Sequence, residues 1–203
     1  KFITMIFNFK TDYILEDERV ILSPLESKHF EELLHFSENE PEIWDYSVLH
    51  SDAAGKENLK KYIDFALSCR EKGSEYGFIV FDKLKNAFAG STRFYNIDLE
   101  EKTLEIGYTW YGKEFQGTRL NKHCKFLLLE FSFEKIGIER VGFSADSDNS
   151  KSIAAMKSIG CTIEGTLRST MFKKNGKRRN STILSILKKE WDENVKQNLK
   201  NKL

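Results

Sequence analysis

The residues with the clearest chemical potential stand together in Thr103–Asn121. A strand-like run, Leu104-Glu105-Ile106-Gly107-Tyr108-Thr109-Trp110, leads into a polar turn over Gly112–Thr118, and a long apolar helix starts near Arg119. A strand feeding such a turn leaves several backbone N–H groups at the start of a helix, where aligned peptide dipoles add partial positive charge. That end suits a pyrophosphate, and Gly117 lets the backbone approach a ligand closely. On spacing alone the segment is either a phosphate cradle or a loop that only turns the chain. Other chemistry has less support. Cys69, Cys124 and Cys161 lie far apart with no Cys-x-x-Cys pair, and His29, His35, His50 and His123 form no i,i+4 pair and no His-Glu-x-x-His. No metal is expected. Cys124 and Cys161 sit on apolar-patterned elements, and His123 beside Cys124 faces elsewhere, so both thiols read as core residues.

The elements that must position this segment alternate along the chain. Arg19–Leu22 reads as a first strand, ended by Ser23-Pro24. Ser27 is expected to cap a helix reaching about Phe36, and residues 37–54 read as a loop with a helical turn. Lys56–Lys72 is an amphipathic helix stopped by Gly73. Tyr76–Phe81, Phe88–Asn96 and Thr103–Tyr111 form an antiparallel meander because their connections are short. A helix over Arg119–Glu134, a strand over Arg140–Ala145 and a helix over Asn149–Ser158 follow. Thr162–Ser169 and Arg178–Leu187 make a hairpin across Asn175-Gly176. An antiparallel half followed by a crossover implies an α/β (α+β) fold, a mixed sheet with helices on both faces. The expected organisation is an N-terminal extension over 1–18, one domain over 19–191 and a polar tail over 192–203 that frays. The sequence leaves open whether Met5 is the natural start, with Lys1–Thr4 a remnant before it.

Composition bounds the function. The 203 residues are 40% hydrophobic and 31% charged with only two prolines, which excludes collagen-like and disordered classes. Lys+Arg 32 against Asp+Glu 31 gives net charge +1, so total charge implies no attraction to nucleic acid or anionic lipid. No apolar run approaches the roughly 20 residues of a membrane span. An odd number of scattered cysteines points to a reducing, cytoplasmic compartment.

Taken in order, these segments resemble the GNAT superfamily of acetyl-CoA-dependent N-acyltransferases, in particular the branch containing the ribosomal-protein N-terminal (alanine) acetyltransferases. The resemblance runs from about Arg19 to Trp191 and rests on Arg19-Val20-Ile21-Leu22-Ser23-Pro24-Leu25, Ala89-Gly90-Ser91, Leu104–Tyr108, Gln116–Asn121, Arg140-Val141, Asn149-Ser150-Lys151-Ser152, Ile159-Gly160-Cys161, Glu164–Arg168 and Leu187–Trp191. It implies a mixed, mostly antiparallel sheet of roughly seven strands with a splayed parallel pair, Thr103–Tyr111 and Arg140–Ala145. The family's pyrophosphate loop, Gln/Arg-x-x-Gly-x-Gly/Ala, falls on Gln116, Gly117, Thr118, Arg119, Leu120 and Asn121, with Arg119 where Gly is usual and Asn121 where Gly or Ala is. Arg119 would either crowd the phosphate or swing out toward a 3′-phosphate. The pantetheine arm would bond the open strand edge at Tyr108, Thr109 and Trp110 and be met by Asn149 and Ser152. Asn149 also reads as a helix N-cap.

The resemblance implies direct attack by an amine on the thioester, with acetyl-CoA as donor and no metal. Glu105 is the candidate base, with Tyr108 or Thr109 N–H at the oxyanion. The family often has Tyr seven residues after the Asn; here that residue is Met156, which cannot donate a proton, leaving Tyr108, Ser152 or water. Trp44, Tyr46, His50, Arg93 and Tyr95 are candidates to line an acceptor pocket between the loop 37–54 and the hairpin 169–180. Lys173-Lys174 and Lys177-Arg178-Arg179 read as a solvated hairpin tip, or else as a surface for an acidic acceptor. The expected acceptor is a protein N-terminus or a small amine, with no membrane or direct nucleic-acid partner, in a monomer or homodimer. The alternative is a non-catalytic acyl-CoA-binding sensor or interaction domain of the same fold.

Overall fold

The computed structural model describes residues 6–48 and 51–203. Its centre is one eight-stranded sheet in the order β1-β2-β3-β4-β5-β6-β8-β7. The strands are β1 (Leu15–Glu16), β2 (Val20–Pro24), β3 (Tyr76–Asp82), β4 (Ala87–Asp98), β5 (Thr103–Tyr111), β6 (Arg140–Asp146), β7 (Thr162–Phe172) and β8 (Arg178–Leu187). All neighbours pair antiparallel except β5 and β6. The expected mixed architecture holds, and the strand beyond the seven expected is the two-residue β1, too short to show an alternation.

The parallel pair is brief. Thr103, Leu104 and Glu105 face Arg140, Val141 and Gly142, and no later residue of β5 pairs with β6. The cause lies in β5 itself. Its register against β4 steps from Arg93–Gly107 to Ser91–Trp110, so Tyr108 and Thr109 oppose the single residue Thr92. Tyr108 sits at φ 49°. One extra residue in the left-handed region bends a strand and raises its twist, which swings the rest of β5 off β6.

Helices α1 (Phe30–Asn39) and α2 (Lys56–Glu71) cover one face, and α3 (Leu120–Glu130) covers the other. Strand alternation shows it: Tyr62 of α2 donates to Ser91 Oγ, whereas Lys125 of α3 reaches Thr92, the next residue along β4. Apolar spacing drives both contacts, with Leu59, Ile63 and Ala66 buried from α2 and Leu120, Cys124 and Leu128 from α3. Beyond β6 stands α4 (Ser150–Ser158). The first helix differs from expectation at its cap. A 3₁₀ turn over Ser27–His29 precedes it, and Glu26 N–H donates to His29 Nδ1 at 3.0 Å, so His29 rather than Ser27 closes the turn.

The two chain ends also depart from expectation. Phe7 and Tyr13 are buried, with their rings against Tyr76 and Phe131. The supposed tail continues as α5 (Lys188–Glu190), a π-helical turn (Trp191–Val195) and α6 (Lys196–Lys200). Trp191, Val195 and Leu199 are buried, and Trp191 Nε1 donates to Glu134 at 2.9 Å. Their i,i+4,i+8 spacing forms an apolar stripe, which is why the segment docks instead of fraying. No helix among the described residues is long and apolar enough to cross a membrane.

Candidate active site

Because β5 and β6 are parallel, their carboxyl ends point the same way, and α3 and α4 start there. The opening between the separated strands is therefore flanked by two helix N-termini, the position at which open α/β sheets bind ligands.

At the start of α3, Gly117 has φ 73° and Arg119 φ 70°. Among the described residues, the N–H groups of Gly117, Thr118, Arg119, Leu120 and Asn121 donate to no protein acceptor. Amides turned together in this way form an anion-binding concavity. A Cβ on Gly117 would meet nothing within 4 Å, so only its backbone angle calls for glycine and the approach is clear. Arg119 adopts the conformation a glycine would take, at a cost of about 1 kcal/mol. Its guanidinium turns outward and donates to Leu203 O at 3.3 Å. Its side chain therefore does not crowd the loop. The loop is braced by Gln116 Nε2 to Tyr111 O at 3.0 Å and by Thr118 Oγ1 to Phe115 O at 2.6 Å. Tyr111 donates to Asn121 Oδ1 at 3.2 Å.

On the α2 face, Glu105 is the last residue of β5 that pairs with β6. Its carboxylate accepts from Tyr95 OH at 2.6 Å and from Asn96 Nδ2 at 3.0 Å. The Tyr95 ring can lie across β5 because residue 107 is Gly; a Cβ there would come within 2.6 Å of it. Tyr95 also meets Tyr108 edge-on at 5.0 Å, and burial first, then Glu105, raises its phenol pKa far above the ordinary value, so it remains the donor. The Tyr108 phenol is pushed up to about 12, chiefly by burial and next by Glu75.

Two of the expected pocket residues are interior. Arg93 is 1% exposed, pairs with Glu75 at 2.6 Å and lies over the Tyr108 ring at 4.4 Å. It supports Tyr108 from beneath rather than facing an acceptor. Trp44, also 1% exposed, packs its ring at a tilt against Trp110, 4.9 Å between centroids, so Trp44 is core and Trp110 offers only its backbone. Tyr46 is exposed, and His50 lies outside the described residues. The loop and hairpin do meet: Val48 bridges to Lys173, and Lys174 lies 3.5 Å from Asp45. The basic cluster is not uniformly solvated. Lys173 pairs with Asp146 at 2.9 Å and Asp148 at 2.7 Å, and Arg179 is buried.

At α4, Asn149 Oδ1 accepts from Ser152 N–H at 3.0 Å, which makes Asn149 the N-cap. Its side-chain amide donors and the Ser152 hydroxyl have no partner among the described residues, and both are half-buried. Met156 is buried in the core. Burial pushes the Cys124 and Cys161 thiols up to about 12, so neither is a thiolate nucleophile near neutral pH. His123 turns from Cys124 to Asp17, at 2.8 Å. Asp17, Glu18 and His123 form a cluster with metal-ligand atoms, but Asp17 is engaged by the N–H groups of Arg19 and Val20 as a turn.

The splayed parallel pair and the amide-lined helix start are where the resemblance in sequence implied them. Residues 19–162 match the Acetyltransferase (GNAT) domain. The chain belongs to the GNAT acetyltransferase family. A curated GNAT relative, named "Putative ribosomal N-acetyltransferase YdaF" in Bacillus subtilis, is 32% identical over 106 residues, which is 52% of this chain and 57% of that protein. A solved GCN5-related N-acetyltransferase from Brucella melitensis superposes with TM-score 0.84 at 26% identity, covering 93% of this chain and 84% of the other. The Microcin C7 self immunity acetyltransferase MccE, solved in complex with acetyl-CoA and AMP, shares the GNAT fold with TM-score 0.73 at 23% identity, covering 84% and 93%.

Sequence reasoning passed over Tyr62, Glu75, Asp146 and Lys125. The first three depend on cross-strand and cross-helix neighbours that no local pattern carries, as does the burial of Arg179. Lys125 had a signal: Phe126–Leu129 is apolar all round the helix, which leaves a lysine beside it little water.

Proposed function

We propose that the protein is an acetyl-CoA-dependent N-acetyltransferase that passes acetyl directly to a primary amine, with an α-amine as the preferred acceptor. The observation that carries this reading is the run of amides over Gly117–Asn121 at the mouth of the splayed strands. Those amides and the α3 dipole suit a pyrophosphate. The open edge of β5 beyond Glu105 suits the amides of a pantetheine arm, bonded as an added strand through the backbone at Tyr108, Thr109 and Trp110. Asn149 and Ser152 carry the donors and hydroxyl that would meet its far side. MccE, a fold neighbour, is described in complex with acetyl-CoA.

The chain's residues divide the work. Glu105 has four lone-pair directions and uses two, so it can accept a proton from the attacking amine directly or through one water. The bulge re-aims the backbone at Tyr108 and Thr109, the natural place for a donor to the developing oxyanion. The preference for an α-amine follows from its pKa of about 7.7–8.0 against about 10.4 for lysine, since the former is far easier to deprotonate near neutral pH. Tyr108 is a poor source for the leaving thiolate: moving a proton from about 12 to a thiol near 8.5 is uphill by about 5 kcal/mol.

Calorimetric titration with acetyl-CoA, followed by a screen of peptides and small amines, tests the reading. Micromolar binding and turnover with peptide N-termini are expected. Absence of binding at millimolar acetyl-CoA would overturn it, and binding without turnover of any amine would leave a sensor.

A further inference from the structure

Lys125 is a buried ionisable group with no carboxylate partner among the described residues and no task yet in acetyl transfer. It is 5% exposed, on the inward side of α3. Its ammonium donates to Thr109 Oγ1 at 2.7 Å and to Thr92 Oγ1 at 3.3 Å, and these hydroxyls share a further bond at 2.7 Å. An ammonium has three donors, and here two have acceptors. Among the described residues no carboxylate lies within ion-pair distance of it. The titratable groups acting on it are Cys124 of its own helix and Cys161 past α4; from β4 and β5 the two threonine hydroxyls accept its hydrogen bonds. A buried, unpaired lysine is costly to keep charged.

Its place in the fold gives the cost a use. Thr109 belongs to the bulge, beyond the last pairing of β5 with β6. A chain anchored at the start of α3 and running down the open edge of β5 passes Thr109 before it reaches Glu105. Glu105 lies on the α2 face and Lys125 on the α3 face, so the two stand on opposite faces of the sheet along the same strand, β5. Resting on the acetyl-CoA reading, we propose that Lys125 is the catalytic acid for the departing thiol. As the C–S bond breaks, its electron pair stays on sulfur and an Nζ proton moves to it. Lys125 is left as a neutral amine and takes a proton from water once the thiol has departed. Burial brings the Lys125 ammonium down to about 8, close to a thiol and far better matched to it than Tyr108. The role accounts for a site with Met156 where the family usually has its tyrosine.

The test compares CoA with desulfo-CoA, which lacks only the sulfhydryl, by calorimetry at pH 8 on wild type and Lys125→Met. CoA should bind wild type about tenfold more tightly than desulfo-CoA, because the ammonium favours bound thiolate, and the ratio should fall to about one in Lys125→Met. With acetyl-CoA and a peptide acceptor, kcat should fall by about 100-fold, and the decline of wild-type kcat above about pH 8 should vanish. Equal affinities of wild type for the two ligands, or a Met variant with the wild-type pH profile, would overturn the proposal and leave the acetyl-CoA reading standing. If neither ligand binds at millimolar concentration, that reading falls and the proposal with it.

Discussion

Glu105 is bonded by Tyr95 and Asn96, which fixes where its carboxylate points without filling its acceptor capacity. If it removes the proton from the amine, Glu105→Gln should lower kcat/KM about 100-fold near pH 6.5, and the deficit should narrow toward pH 9 as the amine becomes neutral unaided. Matched pH–rate profiles read this directly; superimposable curves would leave proton removal to water. The position of Glu105 on β5 and of the 116–121 loop at the start of α3 were legible in the sequence because each depends on a local run of chain. Arg93 and Trp44 were not. Arg93 alternates with Ser91 and Tyr95 as a pocket-facing residue would, and only the approach of Tyr62 and Glu75 shows that its guanidinium is covered. Trp44 looks like a loop aromatic until Trp110 is seen to pack against it.

At the scale of elements, the segment after β8 shows how a stripe can be hidden by its neighbours. Residues 188–203 are rich in Lys, Asn and Glu, yet Trp191 packs between Phe126 and Phe133, at ring distances of 5.7 and 5.5 Å. Glu134 ties the same helix down through Trp191 Nε1 and through Lys196 at 2.6 Å. The segment therefore braces the far end of α3, the helix whose first turn forms the amide cradle. Trp191→Ala should cost about 3–5 kcal/mol by loss of a buried indole and the cavity it leaves. Chemical denaturation checks this, and a loss below about 1 kcal/mol would mean that the segment is merely resting on the surface. Strands β3, β5, β6 and β8 and the α2 helix, by contrast, were placed to within a residue, because period-2 and period-3.6 patterns are written in consecutive residues, whereas β2 runs on through Ser23 and Pro24, expected to end it, and β7 runs three residues past Ser169 to Phe172.

For the whole molecule, the buried ammonium of Lys125 links stability to the opening in the sheet. Its folded pKa of about 8 lies below the ordinary lysine value of about 10.4, so between those pH values the unfolded chain holds more proton than the folded one. Stability should then rise with pH across that window, by about 3 kcal/mol from this group, and the same amount is missing below pH 8. Lys125→Met replaces the ammonium by an apolar chain of similar length and leaves Thr92 and Thr109 bonded to each other. The variant should be more stable than wild type by up to about 3 kcal/mol at pH 7, and the advantage should shrink toward zero by about pH 10.5. Because tyrosines and the other lysines titrate equally in both proteins, the difference between their urea denaturation free energies isolates Lys125. A variant that is less stable at pH 7, or an advantage independent of pH, would mean that the ammonium is already well solvated in the folded chain. A gain in stability joined to a loss of turnover would mark Lys125 as a residue whose burial destabilises the fold and serves the reaction.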